Sequence, residues 1–424
     1  MFNDTEKYMQ MALALARRGI GQVEPNPAVG AVITKANQVI GTGWHKKFGG
    51  PHAEINALED CKNLGVNPRG ATMYVTLEPC CHQGKTGPCT QALIEAGIKK
   101  VFVAVVDPSS HTGGKGIEQL RNAGVEVQTG ICEQQGRLLN APFMKFASTG
   151  RCWVILKWAQ SIDGKLSYAR PSDRQRWISG EKSRADVHKL RRRTQAVLVG
   201  INTVLADDPL LTARPAKGKN PLRIVLDSFL RIPPDCKLLN TKNQSPVLVY
   251  TSWHAVNVKP QLVQRIADSG AEILSYPDTN GKSNLLFLLE QLSKRGVSQL
   301  LVEGGPTVLS SFLRENLADE IYVYIAPKIL AGQGGTQITA PMSLLSQAVG
   351  LNNVEIKIFD NDVRITGLTD KAVSELEKIK PEQDPAQLEK TDGEPKITEP
   401  QITAVPAASA KADSVNSDTV GLSR

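Results

Sequence analysis

The sequence predicts two successive α/β domains followed by a disordered tail. Three observations carry that expectation. Short apolar runs alternate with stretches of helical period through residue 369, as expected where helices cover a largely parallel sheet. A Ser-Thr-Gly-Arg break near Ala147–Arg151 interrupts the alternation and sets domains of 1–147 and 151–369. From 370 to 424 the pattern stops. Between Lys371 and Arg424 there is no aromatic residue or cysteine, prolines recur at 381, 385, 395, 400 and 406, and seven Lys/Arg face ten Asp/Glu. Such a segment buries too little apolar surface to offset its ordering entropy.

The elements come in this order. Asn3 or Thr5 opens an amphipathic helix running to Arg18, stopped by Gly19 and Gly21. Strands are expected at Ala28–Thr34, Val39–His45, Ala71–Glu78, Lys100–Asp107 and Val125–Thr129, with helices at His52–Leu64, Cys89–Ala96 and Ile117–Ala123. The second series of strands is Trp153–Ala159, Ala196–Gly200, Arg223–Ser228, Val247–Thr251, Glu272–Ser275, Gln299–Glu303 and Ile321–Ala326, closing in a hairpin over Val354–Thr366. The two series show no internal repeat.

Composition narrows the function. A chain of 424 residues with 41% hydrophobic and 22% charged residues suits a globular protein of two domains. No apolar run approaches the ~20 residues of a bilayer span, so no membrane partner is expected. The opening MFNDTEKYMQ lacks the basic and apolar regions of a signal peptide, and a cytoplasmic location is expected. Seven cysteines cannot all pair in one chain, and Cys80, Cys81 and Cys89 crowd beside His82, which suits a metal or catalytic site better than a disulfide framework. The net charge of +8 is scattered apart from KLRRR at Lys189–Arg193, and aromatics make up only 5%. With so few stacking platforms, an anionic small molecule is a better partner than nucleic acid. A homo-oligomer stays open.

His52-Ala53-Glu54 opens a helix, Glu78-Pro79-Cys80 ends a strand, and Cys89 precedes the next helix. One imidazole and two thiolates supply three zinc ligands and leave a fourth position for water, the mark of a catalytic site. Glu54 need not bind metal. It can take a proton from the attacking water and pass it to departing ammonia. Zinc deaminases acting on nucleobases use H-x-E with P-C-x-x-C; here eight residues separate Cys80 from Cys89.

In the second half, Gly304-Gly305-Pro306-Thr307 lies between a strand and a helix, where backbone N–H groups and a helix N-terminus can receive phosphate. It is not a GxGxxG motif, so a conventional Rossmann site is not indicated. Lys157 ends an apolar strand. Its ammonium can polarise a sugar carbonyl or simply snorkel to solvent.

The segments PNPAVGAV (Pro25–Val32), GTGWH (Gly41–His45), GGPHAE (Gly49–Glu54), TLEPCCHQGKTGPC (Thr76–Cys89) and VDP (Val106–Pro108) resemble the deaminase half of the bifunctional riboflavin-biosynthesis deaminase/reductase family. Gly87 stands where that family usually has a second proline. From Trp153 to Gly367, LKWAQSIDGK, RWIS, HKLRRRTQAVLVGINTVLADDPLLTAR, IVLDS and LVEGGPTVLSSFL resemble its reductase half in the same order. The resemblance implies a cytidine-deaminase-like zinc domain followed by a dihydrofolate-reductase-like domain that uses NADPH. It implies that Asn26 and His45 hold the pyrimidine. It further implies NADPH contacts at Ala159, Trp177, Thr203, Asp207 and Ser228, and along Gly305, Pro306, Thr307, Val308, Leu309, Ser310 and Ser311. Substrate contacts are implied at Arg191, Leu211, Arg214 and Glu303, with Gln175 standing where the family commonly has a small serine. The reactions implied are hydrolytic deamination of 2,5-diamino-6-(5-phosphoribosylamino)pyrimidin-4(3H)-one, then reduction of its ribosyl group to ribityl. Two alternatives stand beside this reading: a second domain that only binds NADPH, and a deaminase that edits nucleic acid.

Overall fold

The computed structural model describes residues 4–82, 87–109, 113–167, 177–214, 220–241, 243–277, 283–331, 336–338 and 348–379. In the first half, β1 (Gly30–Lys35), β2 (Gln38–Trp44), β3 (Thr72–Val75), β4 (Lys100–Val103) and β5 (Glu126–Thr129) form a sheet in the order β2-β1-β3-β4-β5. β1 is antiparallel to both neighbours, and β3, β4 and β5 are parallel. The apolar run Gly30–Thr34 reads as a central strand because both its faces are covered, and all five residues are buried. Helices Asp4–Ala16, Ala53–Asn63, Cys89–Glu95 and Lys115–Asn122 match the expected ones to within a few residues.

The second half contributes β6 (Trp153–Ser161), β7 (Ala196–Gly200), β8 (Leu222–Leu226), β9 (Val247–Ser252), β10 (Glu272–Tyr276), β11 (Gln299–Val302), β12 (Glu320–Ala326), β13 (Leu351–Phe359) and β14 (Asp362–Thr369). Their order is β10-β9-β8-β7-β11-β6-β12-β14-β13, parallel from β10 to β12 and antiparallel through the β13–β14 hairpin. β11 is inserted between β7 and β6. That crossover places the carboxyl ends of three parallel strands side by side, where open α/β sheets bind ligands. No described helix is long and apolar enough to cross a membrane.

Up to the expected domain boundary, two α-helices were not expected, Glu133–Leu139 and Ala141–Thr149. The second runs through the anticipated break, which falls at Gly150, a left-handed residue with φ 65°. This helix bonds the halves together. Buried Lys145 pairs with buried Asp319 just ahead of β12. One apolar core also runs from Tyr8, Tyr74 and Phe102 through Met144 and Trp153 to Val187 and Tyr324.

The start of the tail requires a correction. Asp370–Lys378 is a helix rather than disordered chain: the Thr369 hydroxyl accepts the Ala372 N–H, Ala372, Leu376 and Ile379 are buried, and Lys371 pairs with Asp319. A capping threonine and an i, i+4 apolar pair supply the local signal. It was diluted by the polar composition of residues 380–424. Those remaining positions assigned to the tail lie outside the described residues.

Candidate active sites

His52 caps the helix Ala53–Asn63 with extended backbone, and Glu54 occupies its first turn. The helix can press against β2 because Gly43 has no side chain: a Cβ there would stand 2.2 Å from the Ala53 carbonyl oxygen. Cys89 begins its own helix, and its N–H donates to Cys80 Sγ at 3.5 Å. His52 Nδ1 lies 3.3 Å from Cys89 Sγ and 3.5 Å from Cys80 Sγ. A tetrahedral zinc with ordinary bond lengths separates an imidazole nitrogen from a thiolate sulfur by about 3.5 Å. Donor types and spacing therefore fit zinc with one position left over.

The two thiols share one hydrogen bond and titrate as a pair: hydrogen bonding from Cys89, aided by His52 against burial, lowers the Cys80 thiol, while the same bond and burial raise that of Cys89, so Cys80 is the sulfur that ionises first. Glu54 is 3% exposed, and burial pushes its carboxyl up to about 7, the range in which a carboxyl both accepts and returns a proton. His45 Nδ1 lies 3.0 Å from the Pro51 carbonyl, which can only accept, so Nδ1 carries the hydrogen and Nε2 is an acceptor. That Nε2 is buried and has no partner among the described residues. Burial also lowers the His45 pKa, favouring the neutral ring.

Asn26, His45, His52, Glu54, Cys80 and His82 share one cavity of about 490 Å³, walled by Phe48 and Phe143. Asn26, His45, His52, Glu54 and Cys80 thus line one cavity, with Cys89 within hydrogen-bond distance of His52 and Cys80. Sequence reasoning missed Glu78, whose buried carboxylate accepts the N–H groups of Asp107 (3.1 Å), Gly114 (3.0 Å), Gly116 (2.8 Å) and Ile117 (3.3 Å). It anchors the loop carrying Asp107 and Ser109, which also line the cavity. The visible signal was Glu78 in the E-P-C triplet. Lys85, in the same TLEPCCHQGKTGPC segment, lies outside the described residues.

In the second half, β11 registers Val302 against Leu156 of β6, so the next residues, Glu303 and Lys157, are neighbours. Lys157 Nζ lies 3.6 Å from Glu303 Oε2. Arg191 grips the same carboxylate with its fork, Nε to Oε1 at 2.5 Å and Nη2 to Oε2 at 3.0 Å, and Nη1 donates to the Thr212 carbonyl. Burial pushes Glu303 up, but Arg191 and Lys157 outweigh it and hold the carboxyl at about 2. Burial lowers the Lys157 pKa against the opposing pull of Glu303. His188, one turn before Arg191, was not anticipated. Burial, then Arg191 and Arg214, push it down to about 4.

The helix Pro306–Arg314 follows β11, with Gly305 as its N-cap. Gly304 is required by close approach, since a Cβ there would fall 2.6 Å from Val308 Cβ. Thr203 faces Gly305, with its Oγ1 3.9 Å from where a Cβ would stand. This Gly-lined first turn, Gly305–Val308, is a cradle suited to a cofactor phosphate. Leu309 and Ser310 are buried, and Ser311 Oγ donates back to the Thr307 carbonyl. Ala159 sits on β6 opposite Tyr324. Trp177 is 63% exposed, with the Arg184 guanidinium 5.1 Å from its ring. Asp207 is exposed at the end of its helix. Ser228 Oγ is held by the hydroxyls of Tyr276 and Ser283. Leu211 adopts φ 54° and is buried in the core. Arg214 is exposed, and Gln175 lies outside the described residues.

Both halves have relatives in this order. Residues 2–105 match the cytidine and deoxycytidylate deaminase zinc-binding region, and residues 152–365 match the RibD C-terminal domain. The chain is 44% identical over 337 residues to the riboflavin biosynthesis protein RibD of Aquifex aeolicus, covering 79% of this chain and 90% of that one. With the Escherichia coli protein of the same name it shares 36% over 372 residues, covering 84% and 97%. Among solved structures, Acinetobacter baumannii RibD superposes with a TM-score of 0.74 at 38% identity, covering 86% of this chain and 99% of that one. The diaminohydroxyphosphoribosylaminopyrimidine deaminase/5-amino-6-(5-phosphoribosylamino)uracil reductase of Thermotoga maritima gives 0.73 at 34%, with the same coverage. Agreement across both halves, in one order and over most of each chain, shows that the chain belongs to the RibD family, the bifunctional zinc-dependent deaminases and NADPH-dependent reductases of riboflavin biosynthesis.

Proposed function

We propose that the first cavity deaminates 2,5-diamino-6-(5-phosphoribosylamino)pyrimidin-4(3H)-one and that the second site reduces the ribosyl group of the product. The observation that carries the reading is the convergence of His52, Cys80 and Cys89 beside a buried Glu54 in a cavity of about 490 Å³. Zinc held by those three side chains would supply Lewis acidity toward water. Glu54 then accepts a proton from that water and delivers it to the leaving amine. His45 offers its unpartnered Nε2 to a ring N–H, and Asn26 offers an amide beside it. Phe48 and Phe143 limit water around the pyrimidine.

NADPH would supply hydride, with the Gly305–Val308 turn and Thr203 holding its phosphates. Lys157 directs its ammonium charge to the oxygen of the opening ribose, which gains negative charge as hydride reaches C1. Glu303 and Arg191 position that lysine. Arg191 commits most of its donors to Glu303 and Thr212, so exposed Arg214 is the better ligand for the ribose phosphate. The domains are read as 1–147 and 151–369, with the helix Asp370–Lys378 completing the second. The protein is read as cytoplasmic, acting on a small ribotide without nucleic acid.

Anaerobic incubation with the diaminopyrimidine ribotide, followed by mass spectrometry, tests the reading. Without NADPH an amine should exchange for oxygen; with it the product should also gain a hydride and a proton. An unchanged substrate mass in both would overturn it.

A further inference from the structure

A second cavity, of about 980 Å³, lies where the halves meet. The first half contributes Ile20, Gly21, Gln22 and Glu24 with Lys47 and Phe48, and the second contributes the helix Glu181–Arg193 with Tyr322 and Arg364. We propose that this cleft is a binding site for a phosphomonoester of nucleotide size, distinct from both active sites.

Charge is the first argument. Lys47, Lys189, Arg192, Arg193 and Arg364 face only Glu24 and Asp186 among the lining residues. Asp186 is already engaged by Arg364 Nη1 at 2.7 Å and the Tyr324 hydroxyl at 2.8 Å, and Arg193 is paired with Glu320. Lys47, Lys189 and Arg192 form no ion pair among the described residues. The second argument is unmet hydrogen bonding. The side chains of Lys47, Lys189 and Arg192 line the cleft and make no hydrogen bond among the described residues. A phosphate dianion supplies acceptors matched to several such charged donors at once.

Placement ties the cleft to the rest of the molecule. Lys189, Arg192 and Arg193 stand at i, i+3 and i+4 and share one face of their helix, while Arg191 turns to Glu303. Phe48 lines both this cleft and the deaminase cavity. At the other side, Asp186 holds the hydroxyl of Tyr324, whose ring centroid lies 5.8 Å from Lys157 Nζ. The phosphate could therefore belong to the enzyme's own deaminated ribotide between steps or to a separate phosphorylated metabolite; the first source rests on the functional reading above.

Equilibrium dialysis of labelled ribose 5-phosphate against the zinc-loaded full chain tests the site, with unphosphorylated ribose as control. Lys189→Gln/Arg192→Gln and, from the opposite wall, Lys47→Gln should each weaken one class of binding about tenfold or more. Ribose should show no such class. Superimposable isotherms for wild type and variants would overturn the proposal. Retained rates of each single step in the double variant establish that its fold survives; if they fall, Lys47→Gln decides by the same criterion. Coupled turnover with unlabelled deaminated ribotide added separates the sources. Less isotope dilution in wild type than in the double variant identifies the enzyme's own intermediate, and equal dilution with the binding class lost identifies a separate metabolite. Absence of either single reaction in wild type would instead remove the functional reading and leave the dialysis result standing.

Discussion

Lys145 Nζ stands 2.8 Å from both carboxylate oxygens of Asp319, with both side chains almost wholly buried. Asp319 also accepts the Val154 N–H and pairs with Lys371. One carboxylate thus joins the connecting helix, β6 and the last described helix. Removing Lys145 leaves Asp319 with Lys371 and the Val154 N–H, so the loss should be about 1–3 kcal/mol, the range for a lost charged hydrogen bond, rather than that of a fully stranded buried charge. Lys145→Ala should show that loss in urea unfolding; a change below about 1 kcal/mol would mean that water reaches the pair.

At the first site, ligation and proton transfer should separate. Cys80→Ser should lose zinc and deamination together, measured by elemental analysis and ammonia release. Glu54→Gln should retain zinc while deamination falls about 10²–10⁴-fold. Near-normal turnover in Glu54→Gln would remove that carboxyl from the reaction.

The two arginines of the second site should differ in kind. Arg214→Ala should raise the ribotide KM about 10–150-fold, as expected for loss of a charge-assisted bond of about 1.5–3 kcal/mol, with NADPH affinity unchanged. Arg191→Ala leaves Glu303 with Lys157 alone, so its effect should appear in kcat and in thermal stability. A pure KM effect for Arg191→Ala would reassign it to the phosphate.

Chain termination should distinguish the helix Asp370–Lys378 from the residues beyond it. A stop after Thr369 removes Lys371 and the buried Ala372, Leu376 and Ile379, and should lower the melting temperature and both activities. A stop after Ile379 should leave both steps at wild-type rates.

His188 predicts a pH dependence. Its folded pKa of about 4 lies below the ordinary 6.5, so between these values the unfolded chain takes up a proton that the folded chain refuses. Its contribution to stability is complete above about pH 6.5 and is lost as pH falls toward 4. His188→Gln should flatten the unfolding midpoint across that window. An unchanged slope would show that the ring titrates normally.

Local periodicity and spacing determined much of this molecule. His52 and Glu54 sit in one helical turn, Cys89 opens the next helix, and the strands along the chain were legible to within about four residues at their ends, because those signals lie within a few neighbouring positions. Tertiary structure decided the rest. β11 enters beside β6, and only that crossover brings Glu303 to Lys157 and so turns Arg191 from a free phosphate ligand into a partner of Glu303. The helix Ala141–Thr149, which runs into the boundary expected at Ala147–Arg151, carries Lys145 into a buried pair with Asp319, 174 residues away. Hydrophobic patterning specifies which face of an element is covered. It does not specify which distant charge waits there, because that depends on strand order and on how the two halves close upon each other.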